Sequence, residues 1–170
     1  MRPIFKSEFP RREKLNKLVR RGVVFLAGAI SLPLSVPQLP AYALAVRHQD
    51  PRLERIRKFF AGIGCPATEY ATAFLSASDA FSLDWRLLPS LSYVESTGGK
   101  TARNNNFFGW DSGRAKFDSP AIAIQTVAFR LSQGDHYQGK TLEQKLTAYN
   151  PVPGYARKVK AIMRRIAPSE

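Results

Sequence analysis

Beyond residue 50 the apolar residues mostly return at every third or fourth position, the period of helices packed on a core. Leu53, Ile56, Phe60 and Ile63 form the first such stripe, and Gly62-Ile63-Gly64 closes it. Pro66 suits a first helical position, followed by Ala67, Tyr70, Ala71, Phe74, Ala77 and Phe81 as one long stripe. Asp84 is placed to cap a helix carrying Leu87, Leu88, Leu91 and Val94, in which Pro89 predicts a kinked or 3₁₀ first turn. Ser119-Pro120 reads as the cap and first residue of a helix through Ile124, Val127, Ala128 and Leu131. Thr141 with Gln144 makes a capping box for a helix with Leu142, Leu146 and Tyr149, which Asn150-Pro151 ends. A last helix carries Tyr155, Val159, Ile162, Met163 and Ile166 on one face.

The period changes once. "FFGWDSGRAKF", residues 107–117, reads as two short strands around a turn at Asp111-Ser112-Gly113. The expected fold is therefore a mostly α domain with one small β-hairpin lobe at its middle.

Ahead of this domain the pattern is different. Residues 1–21 hold eight basic and two acidic side chains, and residues 22–45 hold no charge. The apolar run Val23–Ile30 is too short to span a membrane, which takes about 20 residues, and Pro33, Pro37 and Pro40 interrupt the stretch after it. A basic start, a short apolar centre and the small residues of Ala41-Tyr42-Ala43 fit a secretory signal, and "RRGVV" is open to a twin-arginine reading. Residues 1–45 are thus expected to be a signal or a retained inner-membrane anchor. Residues 46–170 are then an exported domain, in the periplasm, the cell wall or outside the cell.

Charge narrows the partner less than it first promises. The 170 residues carry 26 Lys and Arg against 13 Asp and Glu, a net +13, but from Val46 onward the surplus is only +7. A polyanionic surface is implied, yet no nucleic-acid-binding motif accompanies it. Cys65 is the only cysteine, so no internal disulfide forms, and with His48 and His136 it makes no metal-ligand set. Neither G-x-S-x-G nor a P-loop occurs. Serine hydrolase, metalloenzyme and nucleotide enzyme are poor fits, and no cofactor or metal is expected.

The chemistry concentrates in "YVESTGGKTARNNNFFGWDS", residues 93–112. Glu95 follows Leu88 by seven residues and Leu91 by four, so it continues an apolar stripe. Burial and the negative end of a helix closed by Gly98-Gly99 both disfavour its charged form. A carboxyl lifted from about 4.3 toward about 6 can donate a proton near neutrality, as a glycosidic general acid must. The plainer alternative turns Glu95 outward to pair with Lys100 or Arg103.

"ESTGGK", "NNNFFGW" and "AYNP", in that order on a helix–hairpin–helix plan, resemble the glucosaminidase family of the lysozyme-like superfamily, whose nearest members are endo-β-N-acetylglucosaminidase-type peptidoglycan hydrolases. The resemblance covers about residues 50–166. It implies a lysozyme-like α-helical domain with Glu95 as proton donor and residues 105–110 opening a hairpin lobe beside the sugar groove. It also implies that Tyr149 faces the acid, with a peptidoglycan glycan strand as partner. The lytic transglycosylases stand close by: Ala148-Tyr149-Asn150 fits them, but Pro151-Val152 and the absence of their G-L-M-Q-type segment do not. That sister reaction, forming anhydro-muramyl ends, remains the alternative, as does a non-catalytic wall-binding module.

A second carboxylate decides the mechanism, at about 5–5.5 Å in retaining and about 6.5–9.5 Å in inverting enzymes. The family implies that it comes from the hairpin lobe, where Asp111 is the candidate. If Asp111 only makes the turn, the substrate's acetamido group or an intramolecular attack replaces it. Asn104, Asn105, Asn106, Phe108, Trp110, Asn150 and Tyr155 are candidate substrate contacts, each with an ordinary structural role as its rival. Phe107 and Phe108, as strand neighbours, are expected to split between core and cleft. A monomer is the default.

Overall fold

A computed structural model describes residues 50–168; the expected leader, residues 1–45, lies outside them. Six α-helices account for most of the described chain: α1 (Pro51–Ala61), α2 (Ala71–Ala80), α3 (Leu87–Ser96), α4 (Pro120–Gln133), α5 (Leu142–Tyr149) and α6 (Tyr155–Ile166). Their ends are set by local chemistry. Asp50 caps α1 through Arg52 N, Ser119 caps α4 through Ile122 N, and Thr141 and Gln144 close a reciprocal capping box on α5. The stripe that begins at Pro66 is not one helix. It runs as a 3₁₀ turn, Pro66–Tyr70, and then α2, because Tyr70 leaves helical geometry at φ −100°, ψ 11°.

Asp84 acts a little earlier than expected. Its carboxylate accepts from Arg86 N at 3.0 Å and its carbonyl from Leu87 N at 2.8 Å, making a tight turn ahead of α3. Pro89 then falls third in the helix, where the missing N–H has no intrahelical partner to lose.

Helix α3 is the axis of the molecule. Leu87, Leu88, Ser90, Leu91 and Ser92 are all buried, so it is covered on nearly every side. It packs on α2 and runs antiparallel to α6, while α2 also packs on α1 and α4, and α5 on α6. The α3–α6 pair is pinned at both ends. The Arg86 guanidinium donates to the Ala167 and Pro168 carbonyls beyond α6, and Tyr155, which begins α6, bonds to Glu95 near the end of α3. Phe60, Phe74 and Phe108 form a ring-to-ring seam in the core, with centroids 5.5 and 6.3 Å apart. Each such buried side chain contributes about 1.5–3 kcal/mol.

The expected β-hairpin is absent: no strand occurs among the described residues. Residues 104–117 form an irregular loop containing a short 3₁₀ turn, Trp110–Gly113. Gly109, Asp111 and Ser112 all take left-handed conformations, with φ of 59°, 53° and 55°. Backbone turned this way cannot align with a neighbouring ladder. The ends of the loop do meet, through Phe117 N to Asn104 O at 3.1 Å. Asparagine side chains do the rest. Asn105 Nδ2 donates to Phe117 O, and Asn106 Nδ2 donates to Trp110 O and Ala115 O while its Oδ1 accepts from Trp110 N. Without a strand the alternation rule has no hold, and Phe107 and Phe108 both enter the core, at 4% and 1% exposure.

Candidate functional site

The site is built at the C-terminus of α3. Thr97 carries the left-handed residue that ends the helix, at φ 54°, ψ 47°, and Gly98 N reaches back to Ser92 O at 3.1 Å, a Schellman closure. Gly98 and Gly99 continue the reversal at φ 64° and 92°; a Cβ on Gly99 would stand 2.6 Å from the Phe107 ring. A β-branched residue in this conformation is strained by about 1–3 kcal/mol, and the strain sits two residues from the candidate acid.

Ser96 ties the helix end to the loop. Its Oγ donates to Phe107 O at 2.7 Å and accepts from Gly99 N at 3.0 Å. One residue on, Phe108 O accepts from the Tyr149 hydroxyl at 2.5 Å. These two bonds hold the adjoining Gly109 backbone against Glu95: a Cβ at Gly109 would meet Glu95 Oε2 at 3.1 Å. Glycine is needed there for both that approach and the positive φ.

Glu95 itself is partly buried, and its Oε1 accepts from the Tyr155 hydroxyl at 2.5 Å. Burial is the dominant influence and raises its pKa above the ordinary 4.5; the Tyr155 hydrogen bond and the Lys158 charge act the other way. No neighbouring carboxylate is among the causes. Tyr155 stays protonated far above the usual phenol range, through burial first and then the neighbouring Tyr149 and Glu95, so it is a permanent donor. Its ring stacks on Tyr149 at 6.0 Å and an interplanar angle of 10°. Trp110 meets Tyr149 edge-on at 5.9 Å and tilts against Tyr137 at 6.3 Å. Burial pushes the Tyr137 hydroxyl up to about 12. Four aromatic rings thus lead from the loop to the carboxyl.

The candidate residues separate accordingly. Glu95, Tyr149, Tyr155 and Trp110 come together. Tyr149, expected to face the acid, lies close enough for the Glu95 charge to act on it but donates its hydroxyl to the Phe108 carbonyl, while Tyr155 donates to Glu95. Phe108 turns its ring into the core and offers only its carbonyl. Asn105 and Asn106 use their amides inside the loop, and Asn104 is exposed at φ 55°. Asp111 binds Arg114 at 2.7 Å across its own turn. Asn150 caps α5, accepts from Val152 N, and lines a groove of about 400 Å³ with Thr147, Gly154 and Arg157; Glu95 and Tyr155 do not border that groove. Among the described residues no group of three or more His, Cys, Asp or Glu is placed to hold a metal ion.

The places of Ser96 and Tyr137 beside the site, and the bond from Tyr155 to Glu95, were not foreseen from the sequence. Tyr155 did carry a signal: a tyrosine heading the apolar stripe of α6 buries a hydroxyl that needs a partner.

Compared with known proteins, the chain matches no family model, no curated protein and no solved structure.

Proposed function

We propose that the chain is a peptidoglycan glycosidase, an exported lysozyme-like domain that cleaves β-1,4 bonds at N-acetylglucosamine with Glu95 as general acid. One observation carries the reading: a desolvated carboxyl at the end of the central helix, its pKa raised by burial and its Oε1 held by a single phenol. Burial of this kind favours the protonated form, the form that can hand its proton to a leaving glycosidic oxygen. The partly exposed Trp110 offers a ring on which a sugar can stack.

The Asp111–Arg114 pair supports the turn role for Asp111, and Glu95 has no carboxylate among the influences on it. In this reading Glu95 works as acid first and base second. The substrate's acetamido oxygen attacks the anomeric carbon as the protonated leaving group departs, and Glu95 then takes a proton from the water that opens the resulting oxazolinium. The pairing of Asp111 with Arg114 also suits a second reading, lytic transglycosylation, in which attack by the 6-hydroxyl, its proton passing to Glu95, leaves an anhydro-muramyl end. Digestion of purified peptidoglycan and mass spectrometry of the products separate the two. Reducing N-acetylglucosamine ends are expected; anhydro-muramyl ends would assign the transglycosylase, and intact strands would remove the enzyme reading.

Tyr155 tunes the acid. Its hydrogen bond stabilises the carboxylate form, so Tyr155→Phe raises the Glu95 pKa further. The expected result is an alkaline limb of the rate profile displaced to higher pH, with kcat lower by roughly tenfold because the carboxyl loses its orientation. An alkaline limb that stays in place would show that Tyr155 does not govern the proton donor.

A further inference from the structure

The outward face of α6 carries Arg157, Lys158, Lys160, Arg164 and Arg165 and no acidic residue. Lys160 is occupied by Glu143 of α5. Two of the others are placed differently. Lys158 and Arg165 are seven residues apart, hence aligned on one side of the helix. Arg165 shows which side: its guanidinium lies 5.6 Å from the ring centroids of both Phe59 on α1 and Tyr93 on α3. Lys158 lies about one turn beyond Tyr155, and Tyr155 holds Glu95. The Lys158 charge is felt at that carboxyl.

Both cations are exposed, and neither forms a salt bridge among the described residues. Arg165 sits beside two rings, and these cation–π contacts restrain its guanidinium while leaving it exposed to a carboxylate. Two helical turns separate the two residues by about 11 Å, on the order of the length of a disaccharide. The line Arg165–Lys158–Glu95 is thus a pair of exposed cations, their helix positions about one disaccharide apart, leading to the proton donor.

We infer that Lys158 and Arg165 are a carboxylate-reading track that sets the register of an anionic glycan strand on Glu95. The strand's carboxylates come from lactyl groups on alternate sugars or from the stem peptides. This rests on the glycosidase reading for its destination but not for its binding chemistry.

The test uses the full chain carrying Glu95→Gln, so that strands bind without being cut. Affinities are measured at two salt concentrations for peptide-free muramyl strands, peptide-bearing strands, neutral chitohexaose and a single-stranded DNA oligomer. Adding Lys158→Gln with Arg165→Gln is expected to weaken the carboxylated strands about fivefold to tenfold, the scale of two exposed ionic contacts, and to flatten their salt dependence. Chitohexaose binding should not move, and Arg165→Lys should recover part of the loss. A loss on peptide-free strands identifies the lactyl carboxylate; a loss confined to peptide-bearing strands identifies the stem peptide.

Unchanged affinity for both strand types overturns the track. So does an equal loss on chitohexaose, or DNA binding as tight as strand binding. Should the track bind strands while the wild-type chain releases no product, the catalytic reading falls and the track stands. Should the wild type cut strands that the double variant binds equally well, the track alone falls.

Discussion

Glu95→Gln is expected to lower turnover on peptidoglycan by about 10²–10⁴-fold, the range contributed by a positioned general acid, while the domain stays folded. The amide keeps the shape of the side chain, and its carbonyl oxygen can still accept from Tyr155. Only the transferable proton is removed. The same substitution should stabilise the domain, and the gain should depend on pH in one direction. The folded-state pKa of Glu95 lies above the ordinary 4.5 because burial opposes its charge. Below about 4.5 the carboxyl is protonated in both states and contributes no penalty. As pH rises past that value the unfolded chain releases its proton first, so Glu95 lowers stability progressively until the folded-state pKa is passed, after which the penalty is constant. The Tm of the variant should therefore pull ahead of wild type as pH rises past about 4.5 and hold its lead once the raised folded-state pKa is passed. Parallel stability curves would mean a carboxyl in ordinary surroundings. Turnover within about tenfold of wild type would remove Glu95 from the role of acid.

The helices were legible in the sequence because two independent signals coincided at their ends. Ser119, Thr141 with Gln144, and Asn150 stop or start runs that the apolar period already outlines, and side-chain caps act within a few residues of where they stand. The position of Glu95 was legible for a similar reason, since four- and seven-residue spacing from Leu91 and Leu88 is a local property of α3. What failed depends on contacts between distant positions. Tyr155 meets Glu95 across 60 residues, and no spacing rule joins a helix end to the start of another helix. The stretch 107–117 imitated a hairpin because its aromatic and apolar residues flank a turn sequence. Its conformation is decided instead by the two preceding asparagines, whose amides bond backbone up to twelve residues ahead. Side chains that satisfy the loop's own carbonyls remove the need for a ladder. That substitution of amide for strand also explains why both phenylalanines turn inward.

Asn106→Ala is expected to be the most destabilising change within the asparagine run 104–106. The side chain is 3% exposed and makes three hydrogen bonds, to Trp110 N at 2.9 Å, Trp110 O at 3.0 Å and Ala115 O at 3.3 Å. Truncation leaves all three backbone groups without that partner and opens a polar void, a loss of about 3 kcal/mol and a fall in Tm on the order of 10 °C. Asn105→Ala removes one bond, to Phe117 O, and should cost about 1 kcal/mol. Activity should follow the same order. Trp110 and the Gly109 backbone are held relative to Glu95 by this loop, and displacement of such a wall by about 1 Å is enough to reduce turnover by roughly 10². The rival role, direct recognition of an N-acetyl group, makes the opposite forecast. An Asn106 that touched only the sugar would, on truncation, raise KM while leaving Tm where it was. Thermal unfolding beside kcat and KM for the two variants separates these outcomes. A loss of Tm together with kcat at Asn106, and a small change in either at Asn105, would place the asparagine run in the scaffold of the site and leave Trp110, Tyr155 and Glu95 as the groups that meet the substrate.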